Sequence, residues 1–313
     1  MRALFFGTPT IAVPALSALH EIADVVGVVC QPDRPAGRGM ELRAPPVKLR
    51  AQELGIPVVQ PEKIRTAEFA DWVRGASADV ALVIAYGRIL PTAVLSAPRR
   101  GCLNLHASIL PRYRGAAPIT WSIVHGETET GITLMQMDEG MDTGPVFTER
   151  RIPIGEDMTA DDLAVELSKL AAVVVREDVA RAVEGAIEAK PQDSSQATMA
   201  PILKKEDGRI AWEKPSQAVH NHIRGMTSWP GAFTSADGKL LKVLTSKVAR
   251  GPSGSDPIAP PGTVIAAGKQ GIEVACGDGS IFLMRAQAEG RKPLQAADLV
   301  AGRTLREGMV LGL

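Results

Sequence analysis

Two short stretches carry residue types suited to acyl-group chemistry. In Asn104-Leu105-His106, followed by Ala107-Ser108-Ile109-Leu110-Pro111-Arg112-Tyr113-Arg114-Gly115, an amide and an imidazole stand two positions apart. Side chains alternate between the faces of a strand, so Asn104 and His106 share one face and Leu105 takes the other. Together they can donate hydrogen bonds to an oxygen that gains negative charge, and the imidazole can move a proton near neutral pH. A strand-end histidine that merely hydrogen-bonds the loop behind it would carry the same letters. The second stretch, Met137-Asp138-Glu139-Gly140-Met141-Asp142-Thr143-Gly144, holds three carboxylates in a glycine-containing loop. One of them can pair with His106 and hold its tautomer. A hairpin turn also favours Asp and Gly, for backbone reasons alone. Asp-Thr-Gly is present here as a single copy between Met141 and Pro145, which argues against an aspartic protease.

A third stretch, residues 31–48, suggests recognition rather than reaction. It carries Arg34, Arg38, Arg43 and Lys48 against Asp33 and Glu41. Its glycines and prolines predict a loop without regular structure, mobile in the absence of a partner. Flexible basic loops suit a phosphate backbone. An ordinary surface loop after a strand is the alternative, although this length favours a working role. Other chemistries lack their residues. Gly7-Thr8-Pro9 has one glycine where a dinucleotide fingerprint needs three, and no Walker A sequence occurs. His220 and His222 have no Cys or carboxylate spacing that would make a metal site. Cys30, Cys102 and Cys276 form neither a disulfide framework nor a zinc pattern, so small buried side chains are expected.

The elements that must position these residues alternate in type. Ala3–Phe6, Val25–Cys30 and Val80–Ala85 are apolar runs, as expected of strands buried on both faces, and Gly101–His106 reads as a fourth strand. A helix starting near Pro9 carries Ile11, Ala12, Ala15, Leu16 and Leu19 on one side. Strands so separated predict right-handed crossovers and a mostly parallel sheet, whose C-terminal strand ends bind ligands. Residues 131–137 and 146–154 should pair around the turn at 142–144. Thr159 with Asp162 predicts a capping box, and the helix it starts should stop at Gly185. Residues 190–208 are polar without an apolar period and read as a linker. Beyond a short helix near 216–224, strands at 240–248, 263–266, 272–276 and 281–285 predict a small barrel such as an OB-fold. The expected domains are therefore 1–189, a linker at 190–208, and 209–313.

The chain has 313 residues, 45% of them hydrophobic and 22% charged, which excludes wholesale disorder, collagen-like repeats and coiled coil. Its apolar runs, such as Leu170–Val175, fall far short of the roughly 20 residues of a membrane span. The early Gly-Thr-Pro turn leaves no room for a signal-peptide apolar region, so a cytoplasmic protein is expected. The formal charge is zero, but residues 1–189 hold 19 basic against 24 acidic residues and residues 190–313 hold 16 against 11. That asymmetry hints at a polyanionic partner for the second half.

In combination the motifs resemble those of the methionyl-tRNA formyltransferases along essentially the whole chain. The matches are Phe-Gly-Thr-Pro at 6–9, Gln-Pro-Asp-Arg-Pro-Ala-Gly-Arg-Gly at 31–39, Ala-Tyr-Gly-Arg-Ile-Leu-Pro at 85–91, and the 104–115 and 137–144 stretches. The last two are shared by folate-dependent formyltransferases acting on glycinamide ribonucleotide and UDP-amino-sugars; the 31–39 loop narrows the resemblance to the tRNA enzymes. The resemblance implies a Rossmann-like N-terminal domain, an OB-like C-terminal domain, and no metal. It implies formyl transfer from 10-formyltetrahydrofolate to the α-amine of methionyl initiator tRNA, by a monomer that needs no membrane. By the same resemblance, Asn104, His106 and Asp142 are catalytic. Ser108, Ile109, Leu110 and Pro111, with Arg88, Ile89 and Leu90, border the folate pocket. Arg38 and its loop, with Arg34, Arg43 and Lys48, meet the acceptor end of the tRNA. Met40 and Glu41 stand where relatives often have lysines, which predicts weaker phosphate affinity through this loop. Ala107 and Ile109 replace Gly and Leu with little change of volume. The rival readings are a UDP-amino-sugar formyltransferase, a hydrolase releasing formate, and a non-catalytic nucleic-acid-binding module.

Overall fold

The structure, a computed structural model, describes residues 1–36, 41–249, 259–268, 270–302 and 304–312. The chain forms two compact units. Residues 1–118, 129–153 and 164–201 make the first, and residues 119–128, 154–163 and 202 onward make the second.

The first unit contains β1 (Arg2–Gly7), β2 (Asp24–Val29), β3 (Arg34–Ala36), β4 (Glu41–Arg43), β5 (Val58–Val59), β6 (Val80–Ile84), β7 (Cys102–His106), β8 (Arg114–Gly115), β9 (Glu129–Gln136), β10 (Val146–Pro153) and β11 (Met199–Ala200). Seven of these form one sheet in the order β10-β9-β7-β6-β1-β2-β5. From β7 to β5 all neighbours are parallel; β9 and β10 join antiparallel at the other edge. Ala3, Leu4, Phe5 and Phe6 are all fully buried, so β1 shows no polar alternation. Crossovers are made by α1 (Val13–Ile22), α2 (Pro46–Glu53), α3 (Ala67–Gly75) and α4 (Thr92–Leu95). Thr66 caps α3 by accepting the Phe69 N–H at 3.2 Å, and Phe69, Ala70 and Val73 turn inward.

The chain leaves β1 toward β2 and β5, then returns to the other side of β1 for β6 and β7. The reversal opens a crevice at the C-terminal ends of β1 and β6. Gly7 sits at that end because a Cβ there would lie 2.7 Å from the Phe5 ring and 3.1 Å from the Ile84 carbonyl oxygen. Across the crevice, Thr8 Oγ1 and Gln31 Nε2 each donate to the Tyr86 carbonyl at 3.2 Å.

The expectation that residues 31–48 lack regular structure is overturned in the described part. β3 and β4 form a hairpin, with Arg34 opposite Arg43 and Ala36 opposite Glu41, and α2 starts at Pro46. A two-stranded ribbon leaves open edges that tolerate Pro35, and the first helical turn needs no N–H from Pro46. The three free cysteines are buried, and burial pushes the Cys30 thiol up to about 11. The polar run 190–200 is fastened to the first unit: Lys190 and Val146 exchange N–H···O bonds at 2.8 Å, and β11 runs parallel to β8. Polarity reads as a linker in sequence, but here it supplies donors and acceptors.

α5 (Pro118–Val124) follows β8, and α6 (Ala160–Val174) continues through a π segment, Val175–Val179, into α7 (Ala180–Val183). The expected capping box is present: Thr159 Oγ1 accepts the Asp162 N–H at 3.2 Å, and Asp162 Oδ2 accepts the Thr159 N–H at 3.1 Å. The run ends at Gly185, whose φ is +79°.

The second unit holds α8 (Ser216–Gly225), β12 (Phe233–Ala236), β13 (Lys239–Val248), β14 (Val264–Gly268), β15 (Gly271–Cys276), β16 (Gly279–Ala288), β17 (Leu294–Gln295) and α9 (Ala296–Ala301). The antiparallel order β12-β13-β16-β15-β14 leaves β12 and β14 as edges. Residues 308–312 bridge them: the N–H groups of Gly308 and Leu311 donate to the carbonyls of Val264 and Gly262, and that of Gly312 to Ser235. The OB-like barrel is thus closed by its last turn of chain. His220, on α8, contacts Ser246 Oγ at 3.0 Å and the Glu156 carbonyl at 3.3 Å; burial pushes its imidazole toward the neutral form. Among the described residues, no helix is long and apolar enough to cross a membrane.

Candidate active site

β7 ends beside the crevice. Its register sets Asn104 next to Met135 of β9 and Val83 of β6. Leu103 and Leu105 are buried on one face; Asn104 and His106 share the other. His106 is 6% exposed, and its Nε2–H donates to the Tyr113 carbonyl at 2.8 Å. That bond places Nδ1 toward Asp142, whose Oδ2 lies 3.5 Å away. Asn104 Nδ2 donates to the other carboxylate oxygen, Oδ1, at 3.4 Å. Both contacts with Asp142 are long, which leaves amide and imidazole able to turn toward a third oxygen.

The three carboxylates of the 137–144 loop are separated by geometry. Asp138 Oδ1 accepts from the Gly140 N–H and Thr143 Oγ1, and Glu139 accepts from Thr92 Oγ1 at the surface. Only Asp142 reaches the amide and the imidazole. Its φ is +55°, a left-handed conformation uncommon outside glycine, and its Oδ2 accepts the Gly115 N–H at 2.8 Å. Gly115 has φ +121°, and a Cβ there would lie 2.6 Å from the Ala200 carbonyl oxygen.

A cavity of about 420 Å³ is lined by Arg88, Ile89, Lys63, Ile64 and Arg65. Arg88 and Ile89 follow β6, the neighbour of β7. The Arg88 guanidinium is held by Gln31 Oε1 at 3.0 Å and by the carbonyls of Pro61 and Glu62 at 3.2 and 2.7 Å. Leu90 turns instead into the core with Phe6 and Tyr86. Ser108, Ile109, Leu110 and Pro111 do not line this cavity. Ser108 is fully buried and its hydroxyl donates to the Arg112 carbonyl at 2.7 Å; Leu110 is 3% exposed. Lys63, Ile64 and Arg65, which line the cavity, follow the very short β5 and match no motif in the sequence. Sequence reasoning missed the Tyr113 carbonyl and the Gly115 N–H, because main-chain groups carry no signature.

Of the basic residues in the 31–48 stretch, Arg34 and Arg43 are exposed on the hairpin. Lys48 is tied to Asp33 at 2.7 Å, and Gln60 Nε2 donates to the same carboxylate at 2.7 Å. These two donors, Lys48 first, hold the Asp33 carboxyl below its ordinary range. Arg38 lies outside the described residues, as does Met40. Among the described residues, no group of three or more His, Cys, Asp or Glu could hold a metal ion.

Residues 1–177 match the formyl transferase family, and residues 202–304 match the formyl transferase C-terminal domain. A methionyl-tRNA formyltransferase of Sorangium cellulosum is 72% identical over 313 residues, the whole of both chains. One from Myxococcus xanthus is 49% identical over 307 residues, 98% of this chain and 96% of its own. Among solved structures, a sugar 3N-formyl transferase crystallised with dTDP and 5-N-formyl-THF superposes with a TM-score of 0.68 at 19% identity, covering 93% of this chain and 99% of its own. Methionyl-tRNA formyltransferase from Clostridium thermocellum gives 0.55 at 16% identity, covering 80% and 95%. At such identities the structures speak to the fold, whereas full-length identity to the curated relatives speaks to descent: the chain belongs to the methionyl-tRNA formyltransferase family.

Proposed function

We propose that this chain transfers the formyl group of 10-formyltetrahydrofolate to the α-amine of methionine carried on initiator tRNA. The observation that carries the reading is the convergence of Asn104 Nδ2 and His106 Nδ1 on one carboxylate, at 3.4 and 3.5 Å, at the C-terminal end of a parallel strand. The folate is assigned to the 420 Å³ cavity, whose volume is within the ordinary range of ligand pockets. Ile64 and Ile89 offer apolar contact for an aromatic body, and Lys63 and Arg65 suit its carboxylates. The bound folate supplies an activated formyl group.

The chain's residues then act on the reacting carbon. Asn104 and His106 donate to the formyl oxygen as the amine attacks and charge develops there. Asp142 balances the imidazole charge and faces the same space. A new C–N bond forms to the methionyl nitrogen, the C–N bond to folate breaks, and the proton lost by the amine passes to the departing folate nitrogen. Arg34, Arg38 and Arg43 act at a distance, on tRNA phosphates. Lys48 acts indirectly, through its bond to Asp33 at the foot of the hairpin.

The test is formyl transfer from 10-formyltetrahydrofolate to charged initiator tRNA, with charged elongator tRNA and free methionine alongside. Transfer confined to initiator tRNA is expected. Transfer to an amino-sugar nucleotide but not to tRNA, formate release without an acceptor, or tRNA binding without turnover would each replace the reading by one of its rivals.

A further inference from the structure

The polar run 190–200 reaches the catalytic loops through one side chain, Gln192. Its Oε1 accepts two hydrogen bonds from Arg114, from Nε at 3.1 Å and Nη2 at 2.7 Å. Arg114 is 6% exposed, and its Nη2 also reaches Ser194 Oγ at 3.3 Å. A guanidinium has donors and no acceptor, so the amide orientation is fixed: oxygen toward Arg114, nitrogen away. That nitrogen donates to the carbonyls of Asp142 at 2.8 Å and Gly144 at 2.7 Å. Both amide protons are thus committed to the short loop in which Asp142 stands at φ +55°. A non-glycine residue keeps such a conformation when its surroundings over-determine it.

The same run holds the other side of His106. The Tyr113 N–H donates to Thr198 Oγ1 at 2.9 Å, and the Arg114 N–H to the Thr198 carbonyl at 2.9 Å. Tyr113 supplies the carbonyl that receives the His106 Nε2 proton at 2.8 Å. One strap therefore fixes the acceptors at both ring nitrogens. We propose that Gln192, anchored by Arg114, is a positioning residue for formyl transfer, holding the Asp142 carboxylate toward Asn104 and His106. This rests on the formyltransferase reading above.

Gln192→Glu and Gln192→Ala separate positioning from mere anchorage. Glutamate keeps the pairing with Arg114 and loses both donors to the loop; alanine loses everything. Single-turnover formyl transfer, KM for each substrate and Tm would be measured for both. For Gln192→Glu, a fall of about 10²-fold in the single-turnover rate is expected, the scale of an ångström-sized misplacement. Its Tm should stay near that of the parent and its KM values should hold. In an Asp142→Ala background the same substitution should cost almost nothing further, because the group it positions is gone. Gln192→Glu at the parental rate, or an undiminished loss on top of Asp142→Ala, overturns the proposal. A parent protein that formylates no tRNA would sink the formyltransferase reading, and the positioning role with it. A parent that does, beside an undiminished Gln192→Glu, would sink the positioning role alone.

Discussion

The centre around His106 and the hairpin around Arg43 use polar residues in opposite ways. At the centre, the imidazole is 6% exposed and has a protein acceptor at each nitrogen, while Asp142 is held by Gly115 and, through its main chain, by Gln192. The protein itself supplies the partners that orient these groups, which is what stabilising a developing charge requires. On the hairpin, Arg34, Glu41 and Arg43 lie exposed and Leu42 is 72% exposed. Charges there act through water, at range, and are screened by salt. Lys48 carries the same charge as Arg43 yet belongs to the first pattern, since Asp33 takes its ammonium. Residue type alone therefore does not say whether a cation recognises a partner or braces the loop that does.

The comparison can be broken at several points. The largest effect belongs to His106→Ala, expected to slow single-turnover formyl transfer by about 10²–10⁴-fold with folate binding intact. A loss of less than tenfold would remove the imidazole from the chemistry. Asn104→Ala should cost roughly 10²–10³, in kcat rather than in KM, as for a lost donor to an oxyanion. On the hairpin, Arg43→Ala should leave the rate at saturating tRNA alone and raise KM for tRNA by only about a few-fold. The log–log salt dependence of tRNA binding should lose about one unit of slope. An unchanged slope would take Arg43 off the phosphates.

The smallest effect concerns Asp33. Its carboxyl is held low in the folded state by Lys48 and then Gln60, so the ionised form stabilises the fold above the ordinary carboxylate range and that contribution fades as pH falls through it. Asp33→Asn should unfold at lower urea than the parent at pH 7, with the gap closing below about pH 4. A gap independent of pH would mean that the pair with Lys48 contributes nothing through its charge.

The sequence made Asn104 and His106 partners through the period of two, and the strand ends bear that out. Singling out Asp142 among Asp138, Glu139 and Asp142 was beyond residue type and came from the resemblance; in the structure it is the one of the three whose carboxylate stands beside Asn104 and His106. Apolar runs announced β1, β2 and β6 because strands covered on both faces need no alternation. The pairing of 34–36 with 41–43 was hidden because Pro35 reads as a breaker, and a ribbon with open edges tolerates it. Gln192 was hidden by its neighbours: Pro191, Asp193, Ser194 and Ser195 make the run look solvated, although the bonds it forms are with the protein.

The interleaving of the two units has a consequence for how the chain is made. The segment 119–128 belongs to the second unit, where Ser122 and Ile123 are fully buried and Trp121 and Val124 pack against the cluster that includes Val219 and Ile223. That cover, and the closing stretch 308–312, emerge much later. At roughly 5–20 residues per second, the segment waits about 5–20 s for Val219 and Ile223 and about 10–40 s for the closing stretch. The strands and strap around His106 are all synthesised by residue 201. On the ribosome the reaction centre can mature first, and residues 119–128 and 154–163 are the parts of the nascent chain that a chaperone would need to shield.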